Sequence, residues 1–309
     1  MPEQPPNRAA GRFFGGVELG GTKVVCVAGS PPAAIVASDR FPTGPPAETL
    51  QRVVARLFEF QEVLGGLDAI GVASFGPVDL SPSSATYGCL LETPKPGWSG
   101  TPILRPLEEA FGVPVVLASD VEGAALSEGL SGAARGLESF VYITVGTGIG
   151  AGVVSQSRLL RGLLHPEFGH VAVPRRPGDD FPGVCPFHGA CLEGMASGPA
   201  MAARWGMPAE QLTGPTREAA LALEAQYLAS GLRSLVYTLA PERIVIGGGV
   251  GLTEGLLPLV REALATELAG YPGIDWFTNP SFVAPAALGA MAGGAGALVL
   301  AATASSQYR

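Results

Sequence analysis

The sequence predicts an α/β protein built from two similar domains, and three observations lead to this class. The chain has 309 residues, a length typical of about two domains. Apolar stretches of strand length alternate with longer stretches of helical periodicity. Two pairs of apolar stretches each enclose a glycine turn, one pair opening each half of the chain. This repetition indicates a duplicated domain.

Composition restricts the classes of function. Hydrophobic residues make up 47% and charged residues 15% of the chain, as in globular proteins. The net charge of −8 offers no basic surface for nucleic acid or an anionic membrane. No apolar run reaches membrane-spanning length. Four cysteines without an even framework fit a reducing cytoplasm, where we expect the protein.

The first half opens with two buried strands within residues 13–29, joined by the sequence GGTK at 20–23. Its two glycines would let backbone N–H groups approach an anion, although an ordinary hairpin turn explains the same pattern. The elements that follow are predicted to be a strand at 35–41, a helix at 47–64, a strand at 68–74, a short helix at 101–111 and a strand at 113–118.

Two positions in this half are candidates for chemistry. The segment 87–100 contains TPKPGW and is predicted to be a loop with Trp98 exposed, where it either covers the core or packs against a sugar. Asp120 follows a strand and begins the helix DVEGAALSEGL. Its carboxylate could cap that helix, and it could equally act as a general base where ligands bind in open α/β sheets.

The second half opens with FVYITVGTGIGAGVVS at 140–155, which is again a strand, a glycine turn and a strand. The elements that follow are predicted to be helices at 197–205 and 215–239, a strand at 243–249 that ends in a third glycine run, a helix at 252–268 and an Ala/Gly-rich helix at 286–302. The composition of the last helix suits close packing against another helix.

The stretch 165–193 concentrates metal-binding residue types. It holds all three histidines of the chain and two of its four cysteines. Cys185, His188 and Cys191 have the spacing Cys-x2-His-x2-Cys, and His170 can be a fourth ligand. Two imidazoles and two thiolates would form a charge-neutral tetrahedral site for Zn²⁺. Chance clustering of buried cysteines and surface histidines, or a disulfide between the two cysteines, are the alternatives.

Together these motifs resemble the ROK sugar kinases, and within them the bacterial fructokinase group. The resemblance runs from about Phe14 to the C-terminal helix and is carried by HPEFGH, CPFHGACLEG, TPKPGW and GTGIGAG. It implies a two-domain actin-like ATPase (ribonuclease H-like) fold, with duplicated mixed-sheet domains and an inserted zinc loop. The implied domains are 12–118, completed by a helix near 293–309, and 119–292 with the zinc loop 165–193.

The resemblance also implies site residues. Those matching the nucleotide-binding motifs are Gly20, Gly21, Thr22, Lys23, Gly146, Thr147, Gly148, Gly150, Gly247, Gly248 and Gly249. Asp120 matches the catalytic base. Those matching sugar-contacting positions are Glu167, His170 and Glu193. The matching zinc ligands are His170, Cys185, His188 and Cys191.

Three departures from the family pattern are visible. Glu18 stands where many members have the Asp that faces Mg²⁺. Ser119 replaces the common Asn before the catalytic Asp, and His188 replaces a Cys of many relatives. We expect a kinase and not a member of the family's repressor branch, because no helix-turn-helix segment precedes the first motif.

The implied function is ATP-dependent fructokinase, converting D-fructose and ATP to fructose 6-phosphate and ADP, with Mg²⁺ and a structural Zn²⁺. The alternatives are a glucokinase or mannokinase of the same family, a non-catalytic sugar sensor, or a protein whose Cys/His loop binds a partner. We expect a homodimer that binds no nucleic acid and no membrane. Metal removal is expected to weaken sugar binding before ATP binding, since the glycine turns lie elsewhere in the sequence.

Overall fold

The computed structural model describes residues 12–31, 34–273 and 275–304. The chain divides into two compact units. The first contains the described residues up to Ser131, the segment Arg161–His165 and the chain from Ala290. The second contains Gly132–Leu160 and Pro166–Gly289. Among the described residues, no helix has both the length and the apolar character needed to cross a membrane.

The first unit is a five-stranded mixed sheet with helices packed on it. Its strands are β1 (Phe14–Leu19), β2 (Lys23–Ser30), β3 (Ala34–Pro42), β4 (Ala69–Ser74) and β5 (Val115–Ser119). Its helices are α1 (Pro46–Leu64), α2 (Leu104–Phe111), α3 (Asp120–Ser131) and α8 (Ala292–Thr303). The strand order is β3-β2-β1-β4-β5. The first three strands pair antiparallel, whereas β1, β4 and β5 are parallel.

The second unit repeats this sheet. Its strands are β6 (Phe140–Val145), β7 (Ile149–Ser155), β8 (Arg158–Leu159), β9 (Arg243–Gly247) and β10 (Val283–Pro285). Its helices are α4 (Leu192–Ala196), α5 (Gly198–Trp205), α6 (Gly214–Leu239) and α7 (Leu256–Leu268). The order β8-β7-β6-β9-β10 again places the third, second, first, fourth and fifth strands side by side. The predicted duplication is therefore confirmed at the level of strand order and direction.

Small residues let α8 lie directly on the first sheet. A Cβ at Gly71 of β4 would lie 1.9 Å from the Ala297 carbonyl oxygen, and one at Gly296 would lie 2.0 Å from the Gly123 carbonyl oxygen. Neither position can carry a side chain at such a distance. The predicted close packing of the Ala/Gly-rich helix is confirmed, but the helix begins at Ala292 and not at residue 286, because a 3₁₀ turn over 289–291 precedes it.

The division into units differs from the predicted domain boundary at residues 118 and 119. The helix α3 belongs to the first unit because it packs against α8 through Gly123, and the Ser127 hydroxyl donates to the Ala292 carbonyl at 2.9 Å. The predicted completing helix near 293–309 corresponds to α8 as far as Thr303, and its last residues, 305–309, lie outside the described residues.

Candidate functional site

Asp120 lies at the junction of β5 and α3, where the structure corrects its expected capping role. The Ser119 hydroxyl accepts the Glu122 N–H at 3.3 Å, and the Glu122 carboxylate accepts the Ser119 N–H at 2.8 Å. This is a reciprocal capping box, so Ser119 and Glu122 cap the helix. The Asp120 carboxylate instead accepts the N–H of its neighbour Val121 at 2.8 Å.

The environment of Asp120 suits a group that exchanges protons near neutral pH. Burial is the main cause that raises the pKa of its carboxyl to about 6, with the Val121 N–H opposing and the negative charge of Glu18 adding to the rise. Glu122 adds a smaller contribution in the same direction. Asp120 is therefore a carboxylate in neutral solution that is more basic than an exposed aspartate.

Glu122 is itself held by an ion pair. Its side chain is 1% exposed, and Arg161 donates to its two oxygens at 2.7 and 3.2 Å. Neither residue belongs to a motif that predicts a functional role. The Ser-x-x-Glu spacing at 119–122 is a local signal that could have found the capping pair, whereas no local signal points to Arg161.

The first glycine turn joins β1 to β2. The Gly20 N–H donates to the Lys23 carbonyl at 2.9 Å, and a Cβ at Gly20 would lie 2.7 Å from that oxygen. At Gly21, by contrast, a Cβ would meet no atom within 4 Å. The Lys95 ammonium, from TPKPGW, donates to the Gly21 carbonyl at 2.5 Å. A second lysine therefore joins Lys23 at this turn, and the sequence analysis did not predict it.

Glu18, at the end of β1, has room because α8 has a glycine opposite it. A Cβ at Gly293 would lie 2.4 Å from the Glu18 carboxyl carbon. The Glu18 Oε1 lies 3.6 Å from the Lys23 ammonium, while its Oε2 is buried and accepts no hydrogen bond from the described residues. The Glu18 side chain is one methylene longer than that of Asp, and it fits because Gly293 of α8 has no side chain at this point.

Trp98 is not the exposed aromatic that the sequence suggested. Its side chain is fully buried, with its ring edge-on to Phe75 at 5.3 Å and its indole N–H donating to the Gly44 carbonyl at 3.1 Å. A contact of its face with sugar is therefore excluded in this structure. The tryptophan fastens the TPKPGW loop to the chain that follows β3.

In the second unit, the second glycine turn and the third glycine run are neighbours. A Cβ at Gly146 would lie 3.8 Å from the Gly249 backbone nitrogen. Gly248 has a φ of +85°, and a Cβ there would lie 2.3 Å from the Val145 carbonyl oxygen, so glycine is required by the fold. The Gly198 N–H, at the start of α5, donates to the Gly146 carbonyl at 2.7 Å and fixes the beginning of the turn.

The four predicted metal ligands come together in the second unit. One ligand atom from each of His170, Cys185, His188 and Cys191 lies within 4.8 Å of all the others. Three sulfur–nitrogen pairs are separated by 3.7 Å. Zinc–sulfur and zinc–nitrogen bonds of about 2.3 and 2.0 Å at a tetrahedral angle place sulfur and nitrogen about 3.5 Å apart, so the donor set fits such an ion. All four cysteines of the chain are free thiols, against the disulfide alternative.

The metal cluster is joined to the second glycine turn through Glu193. Cys191 is the N-cap of α4, its sulfur accepting the Gly194 N–H at 3.4 Å. Two residues further on, Glu193 accepts the Ile149 N–H at 2.9 Å, and a Cβ at Gly148 would lie 2.8 Å from its carboxylate. Gly169 of HPEFGH packs on the other side of the same residue, where a Cβ would lie 2.0 Å from the Ile149 carbonyl oxygen.

A polar clasp fixes the part of the stretch between the ligands. Asp179 accepts hydrogen bonds from Arg204 and from the Tyr227 hydroxyl. The Arg176 guanidinium lies 2.8 Å from Glu267 and donates to the Gln226 carbonyl at 2.5 Å. These contacts hold residues 175–182 on α5, α6 and α7 without any contribution from a metal ion.

The fold and these sites define a two-unit α/β protein with glycine turns at its strand ends and a Cys/His metal cluster. The sequence model of the ROK family matches residues 14–304. The chain belongs to the ROK family, and the prediction of that family is confirmed.

The similar proteins include enzymes of known name. Fructokinase of Zymomonas mobilis is 40% identical, covering 94% of this chain and 96% of its own, and fructokinase of Pediococcus pentosaceus is 38% identical over 94% and 97%. The structure is similar to ROK hexokinase from Thermus thermophilus, at 31% identity with a TM-score of 0.77 over 94% of this chain and 98% of that one. It is also similar to ROK family glucokinase from Streptomyces griseus in complex with glucose and AMPPNP, at 25% identity with a TM-score of 0.72 over 94% and 99%. The predicted actin-like ATPase fold is therefore confirmed.

Proposed function

We propose that this protein is an ATP-dependent fructokinase, which transfers the γ-phosphoryl group of ATP to D-fructose and releases fructose 6-phosphate and ADP. The observation that carries the proposal is the identity to four fructokinases, 35% to 40% over at least 84% of this chain. Glucokinase of Streptomyces coelicolor is 28% identical, so the glucokinase alternative has less support.

We assign the general base to Asp120. Phosphoryl transfer needs in-line positioning, neutralisation of phosphate charge and a base for the attacking hydroxyl. The raised pKa of about 6 leaves Asp120 ionised in neutral solution and basic enough to accept the proton as the sugar oxygen bonds to phosphorus. The capping pair Ser119 and Glu122 fixes the turn, so the carboxylate is not needed for capping.

We assign nucleotide binding to the three glycine segments. Their backbone N–H groups would receive the phosphates and their missing side chains would admit the ligand. The residues of the first turn are Gly20, Gly21, Thr22 and Lys23, those of the second are Gly146, Thr147, Gly148 and Gly150, and those of the third glycine run, which we assign to the adenosine, are Gly247, Gly248 and Gly249. A Cβ at Gly21 or Gly249 would meet no atom of the described residues within 4 Å, which leaves that space for a ligand.

Mg²⁺, when bound with ATP, supplies charge neutralisation at the phosphates. We assign the carboxylate that faces it to Glu18. The support is its Oε2, a buried charged atom that accepts no hydrogen bond from the described residues, and such an atom fits a cation.

We assign sugar contacts to Glu167, His170 and Glu193. Glu167 immediately precedes the 3₁₀ turn Phe168–His170, whose His170 N–H donates to the Glu167 carbonyl at 3.1 Å. The short spacing brings the carboxylate and the imidazole to one turn. Glu193 would orient the sugar with the carboxylate oxygen that does not accept the Ile149 N–H.

Zn²⁺, when bound, supplies a structural crosslink among His170, Cys185, His188 and Cys191, and four protein ligands leave no open position for water. The matching 3.7 Å separations between sulfur and nitrogen support zinc as the ion. His170 would then serve both the metal and the wall of the sugar site. We also propose a homodimer in the cytoplasm.

The experiment that tests the function is initial-rate kinetics with ATP against fructose, glucose, mannose and N-acetylated sugars. Highest kcat/KM with fructose is the expected result. Highest kcat/KM with glucose or mannose would favour the glucokinase or mannokinase alternative. Saturable sugar binding without any turnover would favour the sugar sensor.

A further inference from the structure

The carboxylate of Glu122 depends on one cation. Its side chain is 1% exposed, and both oxygens are used: Oε1 accepts from Arg161, and Oε2 accepts from Arg161 and from the Ser119 N–H. Breaking a buried ion pair by removing one partner is more destabilising than breaking a surface pair, because it leaves an uncompensated buried charge. Arg161 is therefore the cation that compensates the buried Glu122 carboxylate in this turn.

The same carboxylate fixes the backbone on both sides of Asp120. The Glu122 carboxylate accepts the Ser119 N–H on the N-terminal side of Asp120, and the Glu122 backbone N–H donates to the Ser119 hydroxyl on the C-terminal side. The chain of contacts runs from the Arg161 guanidinium through Glu122 to the first turn of α3. Arg161 itself comes from the segment Arg161–His165, which packs with the first unit although the chain on both sides of it belongs to the second.

We propose that Arg161 is a positioning residue for the phosphoryl-transfer reaction, holding the Asp120 turn in its reactive geometry through its bidentate pair with Glu122. The inference rests on the proposed function, because it assigns Arg161 to the base of that reaction. Displacement of a reacting group by about 1 Å can cost up to 10²-fold in rate. The rate should therefore respond to Arg161 although this side chain touches neither the proton nor the phosphate.

The test compares Arg161→Gln with the double variant Glu122→Gln/Arg161→Gln. In the single variant we expect kcat to fall about tenfold, with the KM for ATP within about twofold of wild type. The substitution should disturb the position of the Asp120 carboxylate in the transition state and leave ground-state binding of ATP unchanged. In the double variant we expect kcat within about threefold of wild type, since the amide that replaces the Glu122 carboxylate is neutral and its carbonyl oxygen still accepts the Ser119 N–H. Arg158→Gln, an exposed position on β8, is the charge-matched control and should leave kcat unchanged.

A second readout is independent of turnover. Amide hydrogen exchange at Ser119 in the sugar-free protein should accelerate in Arg161→Gln and not in Arg158→Gln or at α6. Arg161→Lys should restore part of the protection. Unchanged exchange at Ser119, or a kcat per folded molecule equal to wild type in Arg161→Gln, would overturn the inference. If wild type phosphorylates no sugar, the proposed function fails, whereas the exchange data still decide whether Arg161 holds the turn.

Discussion

At the scale of single residues, Asp120 makes the most direct prediction. Replacement by Asn removes the proposed base, so we expect kcat to fall by about 10²-fold or more. In the wild type the base must be ionised, and with a pKa of about 6 in the ligand-free protein, kcat/KM for fructose should rise with pH through a midpoint near 6. The Asn variant should lose this rise. The measurement is kcat/KM from about pH 5 to about pH 8, a range that brackets the transition.

Stability separates this effect from damage to the fold. The pKa of Asp120 is raised in the folded protein, so its contribution to stability decreases as pH rises from its unfolded value through about 6. In neutral solution the Asn variant should therefore have a Tm no lower than wild type, with the capping pair Ser119 and Glu122 intact. Near-normal turnover in a folded Asp120→Asn protein would show that another group is the base.

Gly21 permits a second prediction, because a Cβ at this position meets no atom of the described residues within 4 Å. Gly21→Ala should therefore fold with an unchanged Tm. Its methyl group should nevertheless block the approach of phosphate to the backbone, and we expect the KM for ATP to rise about tenfold. Kinetics and thermal melting of the same preparation measure both.

The control for Gly21 is Gly162→Ala, another glycine whose Cβ would meet no atom within 4 Å. It should change neither the KM for ATP nor the Tm. An unaltered KM in Gly21→Ala would mean that the turn is only a hairpin connection. Gly148 is a less informative position, because its Cβ would lie 2.8 Å from Glu193 and a loss of ATP binding there would have two explanations.

The residues of the site differ in how far the sequence could predict them. Asp120 and the metal ligands follow from residue type and spacing, because a strand end or a Cys/His spacing is local information. Arg161 and Lys95 could not be predicted, since their partners Glu122 and Gly21 lie 39 and 74 residues away. The predicted exposure of Trp98 is wrong, and the alternative that it covers the core is confirmed. A Pro/Gly loop suggests exposure, whereas burial depends on packing with Phe75, which no local pattern contains.

At the scale of elements, the metal loop is tied to a glycine turn, which changes the expected effect of metal removal. In the sequence, the metal loop and the glycine turns are separate stretches. From this separation we expected metal removal to weaken sugar binding before ATP binding. In the structure Cys191 caps α4, and Glu193 of that helix accepts the Ile149 N–H at the end of the second turn. Loss of the metal should therefore weaken ATP binding as well as sugar binding.

We predict that chelation, or Cys185→Ser, raises the dissociation constants of both fructose and an ATP analogue, each by about tenfold or more, similar in size to the loss of activity when outer-shell partners of a metal are mutated. The protein should remain folded, because the clasp of Asp179 with Arg204 and Tyr227 does not involve the metal. Elemental analysis and two separate titrations measure this.

Cys89→Ser is the matched control for Cys185→Ser, since Cys89 belongs to the first unit and is not one of the four clustered residues. It should retain the metal and both affinities. A metal-free protein that keeps full affinity for the ATP analogue but loses fructose would restore the order suggested by the sequence. Such a result would also mean that metal loss does not change ATP binding through the hydrogen bond between Glu193 and the Ile149 N–H.

Element types were predictable where the elements are long. The hairpins β1–β2 and β6–β7 and the helix α6 agree with the predicted ranges to within one or two residues. The strands β8 and β10 and the helix α4, of two, three and five residues, were missed because so few residues carry no measurable period. The assignment of α3 to the first unit depends on its packing with α8, which no local pattern contains.

At the scale of the whole molecule, the duplicated sheets were predictable because each half opens with the same strand, glycine turn and strand. The order of the remaining strands was not predictable from the sequence, because it depends on pairings such as β1 with β4 between distant parts of the chain. The proposed sugar preference likewise rests on the whole chain and not on single residues. Similarity to fructokinases extends over 94% of the chain, whereas the proposed sugar contacts Glu167, His170 and Glu193 are polar groups that any hexose could use.

The last prediction therefore concerns discrimination between hexoses. We expect kcat/KM for fructose to exceed that for glucose by at least about tenfold, equal to about 1.4 kcal/mol of transition-state discrimination. The comparison is made with ATP saturating, so that a difference in nucleotide binding does not enter the ratio. Because the two hexoses present a 6-hydroxyl on differently shaped rings, orientation toward Asp120 should affect kcat and not only KM. Equal efficiencies, or a preference for glucose, would assign this chain to the glucokinase alternative while leaving the ROK fold and the metal cluster unaffected.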